Sequence, residues 1–156
     1  MKSRIGAVSV LMFFCALGVM QNVNAVEHAH EHEHGKGGSA KIPETYSKAM
    51  DAIAHHGESI SKLIATGKLA DLHHEGESLK KIAEQLPRLA SKEDSGIAKS
   101  DIREINLTSK ELAAKYGPLD EAGDAGKKDE SKKVYDEMVP LIEKLKKFAK
   151  SGDHKH

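Results

Sequence analysis

From residue 43 onward, apolar residues recur every three or four positions, in one segment after another. Tyr46, Ala49, Met50, Ile53, Gly57, Ile60 and Ile64 form the first such series. Leu69, Leu72, Gly76, Leu79, Ala83, Leu86 and Ala90 form the second. Steps of three and four place side chains on a single stripe of an α-helix, whereas a half-buried strand needs alternation with period two. No stretch keeps a period of two long enough to be a strand. The chain is therefore restricted to helices that bury one face each against other helices.

The boundaries follow from local chemistry. Pro43 suits a first helical turn and Gly67 a left-handed stop, so the first helix is expected over roughly 43–66. The second is expected over about 69–90, kinked near its end by Pro87. A third starts between Asp94 and Ser100, with a stripe of Ala98, Ile102, Ile105, Ser109, Leu112 and Tyr116. It should break or bend at Gly117-Pro118, and residues 120–126 (DEAGDAG) read as a loop. The fourth covers about 129–150, with Val134, Tyr135, Met138, Leu141, Ile142, Leu145, Phe148 and Ala149 inward and Pro140 on its outer face. Residues 42–151 thus predict an all-α domain, an antiparallel up-down-up-down four-helix bundle. Its wealth of Ala, Lys, Leu and Glu, with no Trp, fits that class.

Before the bundle the pattern changes. Lys2 and Arg4 precede an uncharged apolar run from Ile5 to Met20, and Val23-Asn24-Ala25 has the small-residue spacing of a cleavage site. Residues 1–25 are expected to be a secretory signal peptide and not a membrane span, because the run is short and its downstream flank is polar. The protein is then periplasmic or secreted. Its only cysteine, Cys15, leaves with the signal, so the mature chain has no disulfide, thiolate ligand or catalytic thiol. Loss of Lys2 and Arg4 from 24 basic residues leaves 22 against 24 acidic ones, a net charge of about −2. No basic field backed by aromatic residues exists for nucleic acid.

The mature chain would open VEHAHEHEHGKGG, a disordered His-rich tail and Gly-rich linker spanning 26–41. In extended chain, alternate residues share a side, so His28, His30, His32 and His34 face one way with Glu27, Glu31 and Glu33 between them. Imidazole is a good ligand for Cu(II), Ni(II) and Zn(II), and the interleaved acids attract a cation. A free amine at Val26 with His28 third adds a planar set of four nitrogens: the amine, two amides and one imidazole. That geometry suits Cu(II) or Ni(II), and it resembles the amino-terminal copper and nickel motif of several extracellular proteins.

The bundle offers secondary candidates. His55-His56 on the first helix and His73-His74 on the second sit in similar strings, HHGES and HHEGES. At 100° per residue His55 and His74 should face water, while His56 and His73 lie at the stripe edges and could tuck between helices. One ion shared by His56 and His73 is awkward, because a hairpin turning at Gly67 offsets them by roughly 7–8 Å along the axis. Carboxylates at helical spacing, Asp51 and Glu58 around His55 and Asp71 and Glu77 around His74, offer weak surface clamps. His154 and His156, in the short tail over 152–156, repeat the alternating pattern. Met50 and Met138 lie in apolar stripes and are expected to fill space. No Gly-rich phosphate loop, H-E-x-x-H pair or inward carboxylate pair appears, so the chain is not expected to be an enzyme.

From Ile42-Pro43-Glu44-Thr45-Tyr46, through residues 72–79 (LHHEGESL), to Leu86-Pro87-Arg88-Leu89-Ala90, the chain resembles small exported His-rich helical-bundle proteins that accompany bacterial heavy-metal efflux systems. The resemblance implies metal ions, and a metal-efflux component, as partners. In size and topology only, the bundle is also similar to soluble haem-b cytochromes, which use a Met on the first helix and a His on the fourth. Met50 matches the first position, but no histidine precedes His154 on the fourth. The leading expectation is a non-enzymatic envelope protein that buffers or carries Cu(II), Ni(II) or Zn(II) through its N-terminal histidines. The alternatives are a structural or interaction module of an envelope complex and, further off, a non-covalent haem electron carrier.

Overall fold

The computed structural model describes residues 41–152, with side chains through Ala149, and every regular element in that span is helical. Six α-helices follow in order: α1 (Tyr46–Thr66), α2 (Leu72–Ala83), α3 (Leu86–Ala90), α4 (Ile102–Ala114), α5 (Tyr116–Asp124) and α6 (Lys128–Gly152). Short 3₁₀ turns at Leu69–Asp71 and Glu93–Ser95 link the first two pairs of segments. The signal segment, the His-rich tail and its linker, and residues 153–156 lie outside the described residues.

Helix α1 begins three residues later than Pro43 suggests. Thr45 stands in extended conformation and its Oγ1 accepts from the Lys48 amide at 3.3 Å, satisfying one of the open amides of the first turn. The far end closes as expected. Gly67 takes φ of 74°, the Gly67 amide donates to Ile64 and the Lys68 amide donates to Leu63. Such a paired closure needs a left-handed residue, which glycine adopts without strain.

The second expected helix is two. Pro87 has no amide to bond the Ala83 carbonyl, and the chain turns through Glu84 and Gln85 before Pro87 enters the first turn of α3. That agrees with the predicted kink. The third segment differs from expectation. Gly117-Pro118 does not end it: one non-helical residue, Lys115, separates α4 from α5, and α5 continues through most of the expected loop to Asp124. Pro118 lies in the first turn of α5, where amides have no helical acceptor, so its missing N–H breaks nothing. Leu119, Ala122 and Gly123 then recur at helical steps, and all three are buried. Gly126, with φ of 67°, closes α5.

The core is continuous. Ile53 and Ile60 of α1 meet Leu72 and Leu79 of α2, Leu112 of α4, and Met138 and Leu145 of α6, all essentially without exposure. Helix α1 packs on α2 and α6; α2 packs on α4 and α5; α6 packs on α4 and α5. Every residue of the first two apolar series is buried. Ala98 is exposed, contrary to its place in the third stripe, because it precedes α4 and never joins the helix. Ile82, Leu89, Thr108, Ala113 and Ser131 are buried although they fall off the simple stripes. The buried hydroxyls of Ser109 and Ser131 avoid a polar penalty by donating to the carbonyl four residues earlier, Ile105 at 2.6 Å and Lys127 at 3.0 Å.

Candidate functional site

Helices α1, α2 and α5 converge on a set of histidines and carboxylates. His56, one step round α1 from the core stripe, is half-buried, and its Nδ1 lies 2.7 Å from Glu75 Oε2 on α2. His73 opens α2 and turns away from α1 toward α5. Its Nδ1 lies 2.9 Å from Asp120 Oδ1 and 3.1 Å from the Tyr116 hydroxyl. An ionised carboxylate only accepts, so in both pairs the hydrogen sits on Nδ1, and a neutral ring then presents an unprotonated Nε2. His73 and Tyr116 also stack obliquely at 6.0 Å, and the Lys80 ammonium lies 5.3 Å from the centre of the Tyr116 ring. Burial first, then the charges of Asp120 and Glu77, raise the Tyr116 phenol above its ordinary pKa, so its hydroxyl keeps its proton.

The placements match the helical-wheel expectation in part. His55 and His74 face water as predicted. His56 tucks between α1 and α2, but its partner there is Glu75 and not His73, as the axial offset of the two histidines requires. His73 remains exposed, bound to α5, an element that the sequence pattern read as loop. Glu75, Tyr116 and Asp120 are the site residues that the helical patterning does not identify; Asp120 falls in the expected loop and Tyr116 at the end of an expected core stripe. In each doublet the two imidazoles lie side by side, with centroids 5.9 Å apart for His55–His56 and 5.4 Å for His73–His74. As the side chains stand, no three His, Asp or Glu residues converge on a point that holds a metal ion, among the described residues.

The glycines of the two strings differ in what they admit: a Cβ on Gly76 would press on Tyr116 at 3.0 Å, whereas one on Gly57 would make only ordinary contacts. Gly76 of α2 lies under the Tyr116 ring, and Gly57 of α1 faces Ile142 and the Tyr135 hydroxyl of α6. Three surface clefts accompany these contacts. One, of about 680 Å³, opens where α2–α3 and α4–α5 both bend, and Lys80, Lys110, Asn106, Glu84 and Tyr116 line it. A second, about 380 Å³, runs between α1 and α6 past Asp51, His55, Glu58 and Lys146. Met50 and Met138 are buried in the apolar core.

Val26, His28, His30, His32 and His34, and also His154 and His156, lie outside the described residues. No helix among the described residues is long and apolar enough to cross a membrane. No protein-family model, curated protein or solved structure matches the chain.

Proposed function

We propose that the protein is a non-enzymatic, exported metal-binding protein that buffers or carries Cu(II), Ni(II) or Zn(II) in the cell envelope, and passes the ion to a metal-efflux component. The observation that carries this reading is the tract from Val26 to His34. It combines four imidazoles on alternate positions, interleaved carboxylates and, after cleavage at Ala25, an amine with histidine third in the chain.

In this reading the bundle is a stable carrier with up-down-up-down order. Two long-range contacts support antiparallel neighbours. Tyr46, at the start of α1, donates its hydroxyl to the Leu145 carbonyl late in α6, and Lys128, at the start of α6, donates to the Ala65 carbonyl at the end of α1.

Native mass spectrometry with Cu(II) and Ni(II) tests the proposal on two forms of the chain, one beginning at Val26 and one at Ile42. Tight binding by the long form alone is the expected result, weakening as pH falls below ~6.5 and imidazole protonation competes with metal. Equal binding by both forms, or binding by neither, overturns the role of the tail.

A further inference from the structure

We infer that His73, His74 and Glu77 form a second metal site, on the bundle itself, with Asp120 and Tyr116 holding His73 in register for a zinc-like divalent ion. The inference concerns residues separate from the N-terminal tract but shares with the proposed function the premise that the protein meets transition metal.

The first observation is ring spacing. Zn–N bonds of about 2.0–2.1 Å place an imidazole centroid about 3.2 Å from the ion, so two imidazoles at a tetrahedral angle have centroids about 5.2 Å apart. The His73–His74 centroids are 5.4 Å apart with the rings nearly perpendicular; with a nitrogen of each ring turned to one ion, that separation would give an N–Zn–N angle of about 115°. His55–His56, at 5.9 Å, would need about 134° and fits poorly.

Orientation is the second. A metal-binding histidine characteristically gives its other N–H to a carboxylate, which fixes tautomer and ring plane and makes the ligating nitrogen more basic. The Nδ1–H of His73 donates to Asp120 at 2.9 Å, and the nearby Tyr116 hydroxyl confines the ring further. Nε2 of His73 is therefore the free, unprotonated nitrogen on a side chain that is about half exposed, 47%. Asp120 is a positioning residue here, not a ligand.

The third ligand is one turn on. Glu77 follows His73 by four residues and His74 by three, so its direction from the helix axis lies between theirs. Without an ion, Glu77 is engaged by Lys81 at 2.8 Å, which accounts for the lack of a ready three-ligand cluster. An exposed pair of this kind exchanges readily, and a divalent ion held by two imidazoles displaces the ammonium.

The test uses Zn(II) and the chain beginning at Val26, in a background where His28, His30, His32, His34, His154 and His156 are changed to Asn. This leaves His55, His56, His73 and His74 as the only histidines. Native mass spectrometry should show one Zn(II) per chain, and competition with a chromophoric chelator gives its affinity. His74→Asn should abolish that ion, and Glu77→Gln should weaken it. Asp120→Ala should lower affinity by about 10–100-fold while Asp120→Asn, which keeps an acceptor for Nδ1–H, restores most of it. Nitrogen NMR of the imidazole of His73 should show the Nδ1–H tautomer giving way to a mixture in Asp120→Ala, a change that loss of packing alone does not produce.

If the background chain binds no Zn(II) while the unaltered chain does, this site is refuted and the tail reading stands. If both bind one ion and His74→Asn removes it from both, the tail holds no Zn(II) and this site stands. Binding that persists in His74→Asn places the ion elsewhere and overturns the assignment.

Discussion

Gly57 and Gly123 are both buried helical glycines, yet alanine at the two positions should move stability in opposite directions. In α1, a Cβ on Gly57 would meet Ile142 Cδ1 at 3.6 Å and the Tyr135 hydroxyl at 3.9 Å, which are ordinary contacts. Alanine there gains the helix preference over glycine, about 0.8–1.0 kcal/mol, with nothing displaced. In α5, a Cβ on Gly123 would lie 3.0 Å from the Leu69 carbonyl oxygen and 3.2 Å from Leu72 Cδ1. The first of these is backbone of the 3₁₀ turn ahead of α2 and has no rotamer to change. Overpacking of this sort costs about 1–3 kcal/mol, which outweighs the same propensity gain and leaves a net loss of up to about 2 kcal/mol. For a domain near 110 residues, 1 kcal/mol is worth about 4 °C in Tm. Thermal melts followed by circular dichroism at 222 nm should therefore place Gly57→Ala about 4 °C above the parent and Gly123→Ala as much as about 8 °C below it. Urea midpoints should rank the variants the same way with unchanged slopes. Gly123→Ala matching Gly57→Ala in stability would refute the close approach of α5 to the α1–α2 connection, on which the position of Asp120 also depends.

Pro140 is exposed within α6 and removes the amide that would bond the Asp136 carbonyl, so Pro140→Ala should raise Tm, by an amount bounded by the roughly 3 kcal/mol helix penalty of proline. Tyr46→Phe deletes a buried hydroxyl that donates to the Leu145 carbonyl at 3.0 Å, and should lower unfolding free energy by about 1 kcal/mol in urea titrations. Glu137 of α6 is held below its ordinary pKa by Lys115, 2.8 Å away at the α4–α5 junction. A carboxyl depressed in the folded state adds stability above its unfolded pKa and loses it as pH falls through the lower folded value. Glu137→Gln should accordingly make the acid side of a stability–pH profile shallower while leaving behaviour below that range unchanged.

The helical character, the apolar series of α1, α2 and α3, the closure at Gly67 and the break associated with Pro87 are all legible in the sequence, because each rests on interactions spanning no more than one helical turn. A period of 3.6 selects the buried face of a helix whatever it packs against, and a missing amide or a left-handed glycine acts on its immediate neighbours. Thr45 is equally local: its capping hydroxyl, not Pro43, decides where α1 begins.

What tertiary structure decided is which short segments become helical and which polar side chains meet. Residues 120–126 have the glycines and acids of a loop, and only the pocket above Leu69 and Leu72 turns Leu119, Ala122 and Gly123 into a buried face that outweighs weak propensity. From that helix comes Asp120, separated from His73 by 47 positions in the chain. Helical spacing gives the direction of His56 and His73 but not their partners, since a salt bridge between elements depends on axial register and crossing geometry. Those quantities are set by how the core side chains interlock across helices, and no single helix contains them.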